Sequence, residues 1–387
     1  MTAVDEFLLE SDVEEVVSEL GDVADDFSGK TILLAGGRGF LGRYLSAVFA
    51  ELNRSRLPEP CRLIVIDNLI TAGRAGKEQR EAPNTRFIEH DVTKPLEVDE
   101  HIDCVVHAAG IPSPTYYQAY PLETLDVAIA GNRNLLDLAL GHGARYTFFS
   151  SSEIYGDPDP KHLPTPETYR GNVSTQSGRA CYDEGKRVGE TLCHVYHTYH
   201  GLHTNIIRPF NVYGPGMQES DYRVLPNFAS SIKARRPLWV YGTGFQTRTF
   251  CYVTDALNGF IRVIARGLPG EAYNIGTPEP EVNMRELARR IEEVMGRKID
   301  IQVRDYPDSY PGDEPNRRCP DITKAQVHLA YRPRIDLDLG LRRFLSWSDR
   351  VYTGAEQSTV GPAGPKSTLR AVPAARQGGT DEERAAQ

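Results

Sequence analysis

Tyr182 and Lys186 stand four residues apart in RACYDEGKRVGET, residues 179–191. On a helix that spacing puts the phenol and the ammonium on one face. A free tyrosine titrates at about 10, and a fixed cation beside it favours the phenolate and lowers that value. Such a pair exchanges a proton with a hydroxyl or a ketone near neutral pH. An isolated YxxxK is more often an ordinary surface pair on an amphipathic helix, so other residues must support the chemical reading. About thirty residues upstream, FSSSEIYGD places Ser151, Ser152 and Glu153 after an apolar run. That is the carboxyl edge of a strand, where open α/β sheets bind ligands. The plain alternative is a serine-rich turn with a solvated Glu.

A nucleotide site is signalled at the other end of the same crevice. KTILLAGG leads into GGRGFLGR, which spaces Gly36, Gly39 and Gly42 three apart around Phe40 and Leu41, before the helical run YLSAVFAEL. Glycines there allow a tight turn and close backbone approach, and the free N–H groups of the helix start suit a pyrophosphate. Asp67 closes the next strand in LIVIDN, followed by Asn68. A carboxylate there accepts from the adenosine ribose hydroxyls and repels a 2′-phosphate, which favours NAD over NADP. Arg38 dissents: inside the glycine turn, its guanidinium suits a 2′-phosphate as well as it suits pyrophosphate or solvent. Asp91 and Val92 end the third strand, where a carboxylate meets the adenine amino group. Ala108 and Ala109 end the fourth with small side chains that leave room for a dinucleotide.

The elements that must position these groups are legible as alternation. KTILLAGG, CRLIVIDN, TRFIEHDV, IDCVVHAAG, ARYTFFSSS and LHTNIIRPFN are apolar almost throughout, and helical patterns separate them. This predicts an α/β fold: a doubly wound parallel sheet covered on both faces, with a smaller C-terminal substrate-binding lobe. Residues 29–214 read mainly as the dinucleotide-binding domain and 215–350 mainly as the smaller lobe, with excursions back. MRELARRIEEVMG is a clear amphipathic helix of that lobe. Residues 1–28 form an acidic extension, and 351–387, rich in Gly, Pro and Ala, read as a disordered tail.

Ten acids and no base fall in residues 1–29, a charge of −10 against −9 for the whole chain, so the body sums to about +1. A nearly neutral body lacks the basic face of a nucleic-acid binder. Phe7, Val13, Val16, Val17 and Leu20 recur at helical spacing in the extension, which reads either as a helix docked on the body or a partner, or as a mobile tail. No apolar run reaches a membrane span, and MTAVDEFLLE lacks the pattern of a signal peptide. Six scattered cysteines show no zinc spacing. The expectation is a cytoplasmic protein without a metal site.

Taken together, GGRGFLG, SSSEIYGDP, RACYDEGKRVGET, RPFNVYGP, YGTGFQTRTFCYV and DEPNRRCPDITKA resemble the extended short-chain dehydrogenase/reductase superfamily. Within it, residues 29–347 look like the UDP-glucuronic acid decarboxylases, or UDP-xylose synthases. RACYDEGKRV and RRCPD are the segments most specific to that branch. The resemblance implies NAD as cofactor and UDP-glucuronic acid as substrate, with UDP-xylose as product. Tyr182 would take the C4 hydroxyl proton, while Lys186 would hold the nicotinamide ribose and lower the tyrosine pKa. Glu153, Ser151 and Ser152 would position the sugar and shuttle protons. Arg318 matches the active-site arginine near the sugar carboxylate or the C5 protonation step, Asn211 and Arg248 match contacts to the diphosphate, and Tyr117 completes the substrate set. The helices near 121–140 and 183–199 would form the four-helix bundle of a homodimer.

Two departures stand out. The family usually reads Thr-Ser-Glu where this chain has Ser151-Ser152-Glu153. The loop before Tyr182 is also about two residues longer than expected and is crowded by Pro158, Pro160, Pro164 and Pro166. The first predicts that part of the 4-keto pentose intermediate escapes. The competing readings are an NDP-sugar 4,6-dehydratase, which typically carries Asp-Glu where Ser152-Glu153 stands, a 4-epimerase, and a non-catalytic NAD-binding scaffold.

Overall fold

The computed structural model describes residues 7–306 and 314–355. The six apolar runs form parallel strands: β1 (Thr31–Ala35), β2 (Arg62–Asp67), β3 (Thr85–Glu89), β4 (Cys104–His107), β5 (Arg145–Phe149) and β6 (Thr204–Pro209). Their order across the sheet is β3-β2-β1-β4-β5-β6, and Ala272–Ile275 pairs parallel to β6 as a seventh, edge strand. The order reverses direction between β1 and β4, which makes their carboxyl ends the topological switch point.

Why the strands read as unbroken apolar runs is plain from β1. Ile32 and Leu34 join the core on one face, and Leu33 and Ala35 join the core on the other. Helices cover both faces, so neither side of the strand meets water. The first face packs under α1 (Glu10–Leu20), α2 (Phe40–Ser55) and helix Val253–Arg266. The second packs under helices Asn132–His142 and Ala180–His200, through Leu135, Leu136, Ala139, Cys193 and Tyr196.

The acidic extension docks on the body. Val13, Val16 and Leu20 of α1 are buried. Asp12 is carried inside with them, where it accepts from Tyr44 Oη at 3.2 Å and Tyr252 Oη at 2.8 Å. The smaller lobe contains helix Met284–Met295, capped reciprocally by Asn283 and Glu286 and ended by Gly296 at φ +64. Residues 351–355, read as the start of the tail, pack on the body instead. Tyr352 is buried and donates to the Met217 carbonyl at 2.9 Å, an aromatic anchor that the flanking Gly and Pro composition hid. The rest of the expected tail lies outside the described residues.

The proline-rich loop after β5 has a structural task. Thr165 N–H donates to the Cys319 carbonyl at 2.8 Å, and Asp321 N–H donates to the Thr165 carbonyl at 3.0 Å. Asp157 Oδ1 accepts from Asn316 N–H at 2.7 Å. These bonds fix the short strand Arg317–Arg318, which pairs in parallel with Thr247–Arg248 so that Arg318 stands opposite Arg248.

Candidate active site

The dinucleotide-type cleft opens at the switch point, with a volume of about 390 Å³. Every position read from sequence as cofactor-binding lines it: Gly36, Gly39, Phe40, Leu41, Gly42, Asp67, Asn68, Asp91, Val92, Ala108, Ala109, Tyr182 and Lys186. The glycines are demanded sterically. Gly36 has φ +80, and a Cβ there would meet Ala109 backbone at 2.5 Å. A Cβ on Gly42 would fall 2.1 Å from the Gly36 carbonyl oxygen. Helix α2 starts just beyond, with Gly39 at its N-cap and no side chain capping its first N–H groups.

Asp67 accepts from Arg38 N–H at 3.0 Å through one oxygen and from Leu69 N–H at 2.8 Å through the other. Each oxygen keeps a lone pair for a ligand hydroxyl. The Arg38 side chain turns away from the cleft and is buried. Its guanidinium lies 4.1 Å over the Phe87 ring, donates to the Gln79 carbonyl at 2.7 Å and pairs with Glu81. That removes the one residue that argued for a 2′-phosphate.

At the inner end of the cleft, helix Ala180–His200 presents Tyr182 and Lys186 on one face, as the four-residue spacing requires. Their electrostatics differ from the expectation. Burial pushes the Tyr182 phenol up to about 12, against a smaller lowering from its hydrogen bond with Ser151. Lys186 Nζ is 5.8 Å from the tyrosine ring and donates to the Phe149 carbonyl at 2.7 Å. The ammonium is itself pushed down to about 8 by burial. The predicted lowering of Tyr182 by Lys186 therefore does not appear, because loss of water outweighs a cation directed at a carbonyl.

A second cavity, about 180 Å³, meets the first at Tyr182, Glu153 and Asn211. Tyr117, Arg248 and Arg318 line it, so the four positions read as substrate-binding converge there. Tyr117 stacks on Tyr182 with centroids 5.8 Å apart and planes within 17°. Asn211 Nδ2 donates to the Thr249 carbonyl at 2.9 Å. Ser151 caps the single turn Ser152–Tyr155, its hydroxyl accepting from Glu153 N–H at 3.3 Å. Glu153 then receives Arg318 in a fork, Nη1 to Oε1 at 2.8 Å and Nη2 to Oε2. Burial alone would raise the Glu153 carboxyl, but Arg179 and Arg318 outweigh it and hold the group below its usual range.

Sequence reasoning missed Arg179, Arg223 and Glu314. Arg179 donates to Glu153 Oε2 at 2.7 Å and to Glu314 Oε2 at 2.9 Å. Its signal was available, since it precedes Tyr182 by three and shares a helical face with it. Arg223 lines both cavities and pairs with Asp221. Arg223 carries no motif of its own, and Glu314, although it lies in DEPNRRCPDITKA, reaches Arg179 and Arg248 only through tertiary contacts.

The NAD dependent epimerase/dehydratase family matches this chain over residues 32–276. UDP-glucuronic acid decarboxylase 5 of Arabidopsis thaliana is 40% identical over 81% of this chain and 88% of its own length. UDP-glucuronic acid decarboxylase 1 of Danio rerio is 36% identical over 83% of this chain and 73% of its own length. Among solved structures, an epimerase from Methanothermobacter thermautotrophicus superposes with a TM-score of 0.71 at 25% identity, covering 87% of this chain and 95% of that one. NAD fits the cleft on this chain's own geometry: two glycines that no side chain can replace, an uncapped helix start, an acidic strand end, and Arg38 turned away from the site of a 2′-phosphate. The chain belongs to the NAD-dependent epimerase/dehydratase family and, within it, to the UDP-glucuronic acid decarboxylases.

Proposed function

We propose that this protein decarboxylates UDP-glucuronic acid with NAD, giving UDP-xylose and releasing part of the 4-keto pentose on the way. The observation that carries the reading is the meeting of the two cavities at Tyr182 and Glu153, with Arg318 forked on Glu153. When bound, NAD supplies the acceptor of the C4 hydride and later its donor. Gly36, Gly39, Phe40, Leu41 and Gly42 would hold the pyrophosphate, Asp67 and Asn68 the adenosine ribose, Asp91 and Val92 the adenine, and Lys186 the nicotinamide ribose. Tyr182 takes the C4 hydroxyl proton, relayed and oriented by the Ser151 hydroxyl. The resulting ketone is β to the C6 carboxylate, so the electrons freed with CO₂ pass into an enolate. Protonation at C5 then restores the ketone, and the same tyrosine returns a proton to the C4 oxygen.

Glu153 and Ser152 position the sugar, Tyr117 closes one side, and Asn211 and Arg248 face the diphosphate. Arg318 faces the carboxylate and keeps Glu153 ionised. Residues 29–214 would serve mainly as the dinucleotide-binding domain and 215–350 as the smaller lobe, with Ala272–Ile275 returning to the main sheet. Among the described residues no helix is long and apolar enough to cross a membrane. We place the protein in the cytoplasm as a homodimer. Helices at 121–142 and 180–200 support the dimer, with Leu122, Ile129, Leu140, Val188 and Tyr199 exposed.

Incubation with UDP-glucuronate should release CO₂ and form UDP-xylose. The Tyr182→Phe variant should fold and bind NAD but turn over about a hundred- to ten-thousand-fold more slowly. A wild-type enzyme that forms a 4-epimer or a 6-deoxy product without CO₂ would sink the reading.

A further inference from the structure

The second cavity is built to bind anions, yet its arginines already have carboxylate partners. Arg248 stands opposite Arg318 across two paired strands, so both guanidinium groups belong to one small patch. Like charges so placed repel unless anions lie between them. Two carboxylates do. Glu153 joins Arg318 to Arg179. Glu314 joins Arg179, Nη1 to Oε2 at 2.9 Å, to Arg248, whose Nη2 donates to Oε1. Asp183 lies 3.5 Å from Arg179 Nε, but burial and the neighbouring Glu153 push its carboxyl up to about 7, so it offsets the arginines only in part. Three arginines face three acids.

A nucleotide-linked uronate brings two phosphate charges and a carboxylate to arginines that Glu153 and Glu314 already bridge. It can take the Nη donors that Glu153 and Glu314 occupy only by replacing a resident anion. Glu153 is the harder to move, since it sits inside the Ser151-capped turn Ser152–Tyr155 and accepts three guanidinium bonds. Among the described residues Glu314 accepts one bond from Arg179 and one from Arg248; it lies outside regular structure and has the more exposed side chain, 25% against 17%.

We propose that Glu314 is a specificity-determining residue, a resident anion that occupies the Arg179–Arg248 fork and yields it to an anionic group of the substrate. This rests on the reading of the cavity as a UDP-glucuronate site. A ligand lacking that charge leaves the fork closed, so weakly charged sugars and free nucleosides gain nothing from either arginine. Discrimination arises from a built-in competitor as much as from attraction. The yielding group could be matched by the diphosphate or by the sugar carboxylate, which offer the same chemistry to a guanidinium fork.

Titration calorimetry on the NAD-loaded protein tests this with UDP, UDP-glucose and UDP-glucuronate as probes. Removing a competing charge-assisted pair in Glu314→Gln should tighten binding by about tenfold. Tightening for all three ligands places the diphosphate in the fork, and tightening for UDP-glucuronate alone places the carboxylate there. Glu314→Asp keeps the charge but is too short to span both arginines, so it should tighten binding less, and it carries the test if the Gln variant misfolds. If Glu314 merely holds the arginines in shape, both variants bind more weakly. Weaker or unchanged binding overturns the proposal while leaving the decarboxylase reading intact. Failure of wild type and variants alike to bind any of the three would overturn both.

Discussion

Ser151 joins the backbone geometry of Glu153 to the proton chemistry of Tyr182. Its hydroxyl accepts from Glu153 N–H and faces Tyr182, whose pKa it lowers, and the side chain is buried. A threonine would lock χ1 with its extra methyl, whereas serine keeps other rotamers within reach. That matters after CO₂ has left, when hydride return competes with dissociation of the 4-keto pentose. A loss of about 1.4 kcal/mol in holding the ketone changes the ratio tenfold. Removing one buried methyl costs on the order of 1 kcal/mol, so the substitution is large enough to act. The wild type should therefore release keto product, leave reduced cofactor behind and depend on added NAD⁺. Ser151→Thr should lower the keto fraction severalfold by mass spectrometry. An unchanged fraction would remove position 151 as the cause. The residues of this chemistry were legible because each sits in a short local motif. That burial raises Tyr182 overall was not, because burial is a property of the folded chain: RACYDEGKRV shows the spacing and not the lost water.

At the scale of elements, α1 is the one whose state the sequence left open. Helical spacing of Val13, Val16 and Leu20 permitted docking, but ten acids in a row of 29 residues argued equally for a solvated tail. Packing decides it, and Asp12 carries the cost. Burial raises its carboxyl from 3.8 to about 6, although Tyr252, Arg343 and Tyr44 all favour the ionised form and Glu15 opposes it only weakly. A raised folded-state value means that the protonated acid stabilises the fold. That contribution is complete below about pH 3.8 and is lost as pH rises through about 6. Two units correspond to at most about 3 kcal/mol. Asp12→Asn keeps an acceptor for the two phenols and cannot ionise. The variant should match wild type near pH 4 and exceed it by up to that amount at pH 7.5, in urea titrations of both proteins. A constant difference across this range would mean that Asp12 is not the titrating group. The strands and the helix Met284–Met295 needed no such arbitration, since apolar continuity and an Asn283/Glu286 capping pair are written in adjacent residues.

For the whole molecule, what stayed hidden is what long-range contact creates. Arg318 reaches Glu153 across 165 positions, and Glu314 reaches Arg179 across 135. No window of sequence holds both partners. The proline-rich loop, longer than expected from sequence, anchors the arginine strand through bonds to Cys319 and Asn316. The same limit applies to the outer face of the helices at 121–142 and 180–200. Their inner faces supply Leu135, Leu136, Cys193 and Tyr196 to the core, while Ile129, Leu140 and Val188 stay 38–39% exposed. Leu122 at 55% and Tyr199 at 76% extend that apolar surface. Exposed apolar residues on two neighbouring helices that also supply the core make this face a candidate for an interface with a second copy. A second copy offering the same face would bury it on both sides, as an isologous contact requires. Sedimentation equilibrium at micromolar concentration should then give the mass of two chains. Ile129→Asp combined with Val188→Asp would place a charge on each helix of the face and should give the mass of one. NAD binding should persist in that variant, because the residues lining the cleft come from a single chain. Turnover should fall, because Val188 lies on the helix that carries Tyr182 and Lys186, and the partner's support for that helix is gone. A one-chain mass for the unaltered protein would exclude the dimer outright. An undiminished two-chain mass for the double variant would move the interface elsewhere.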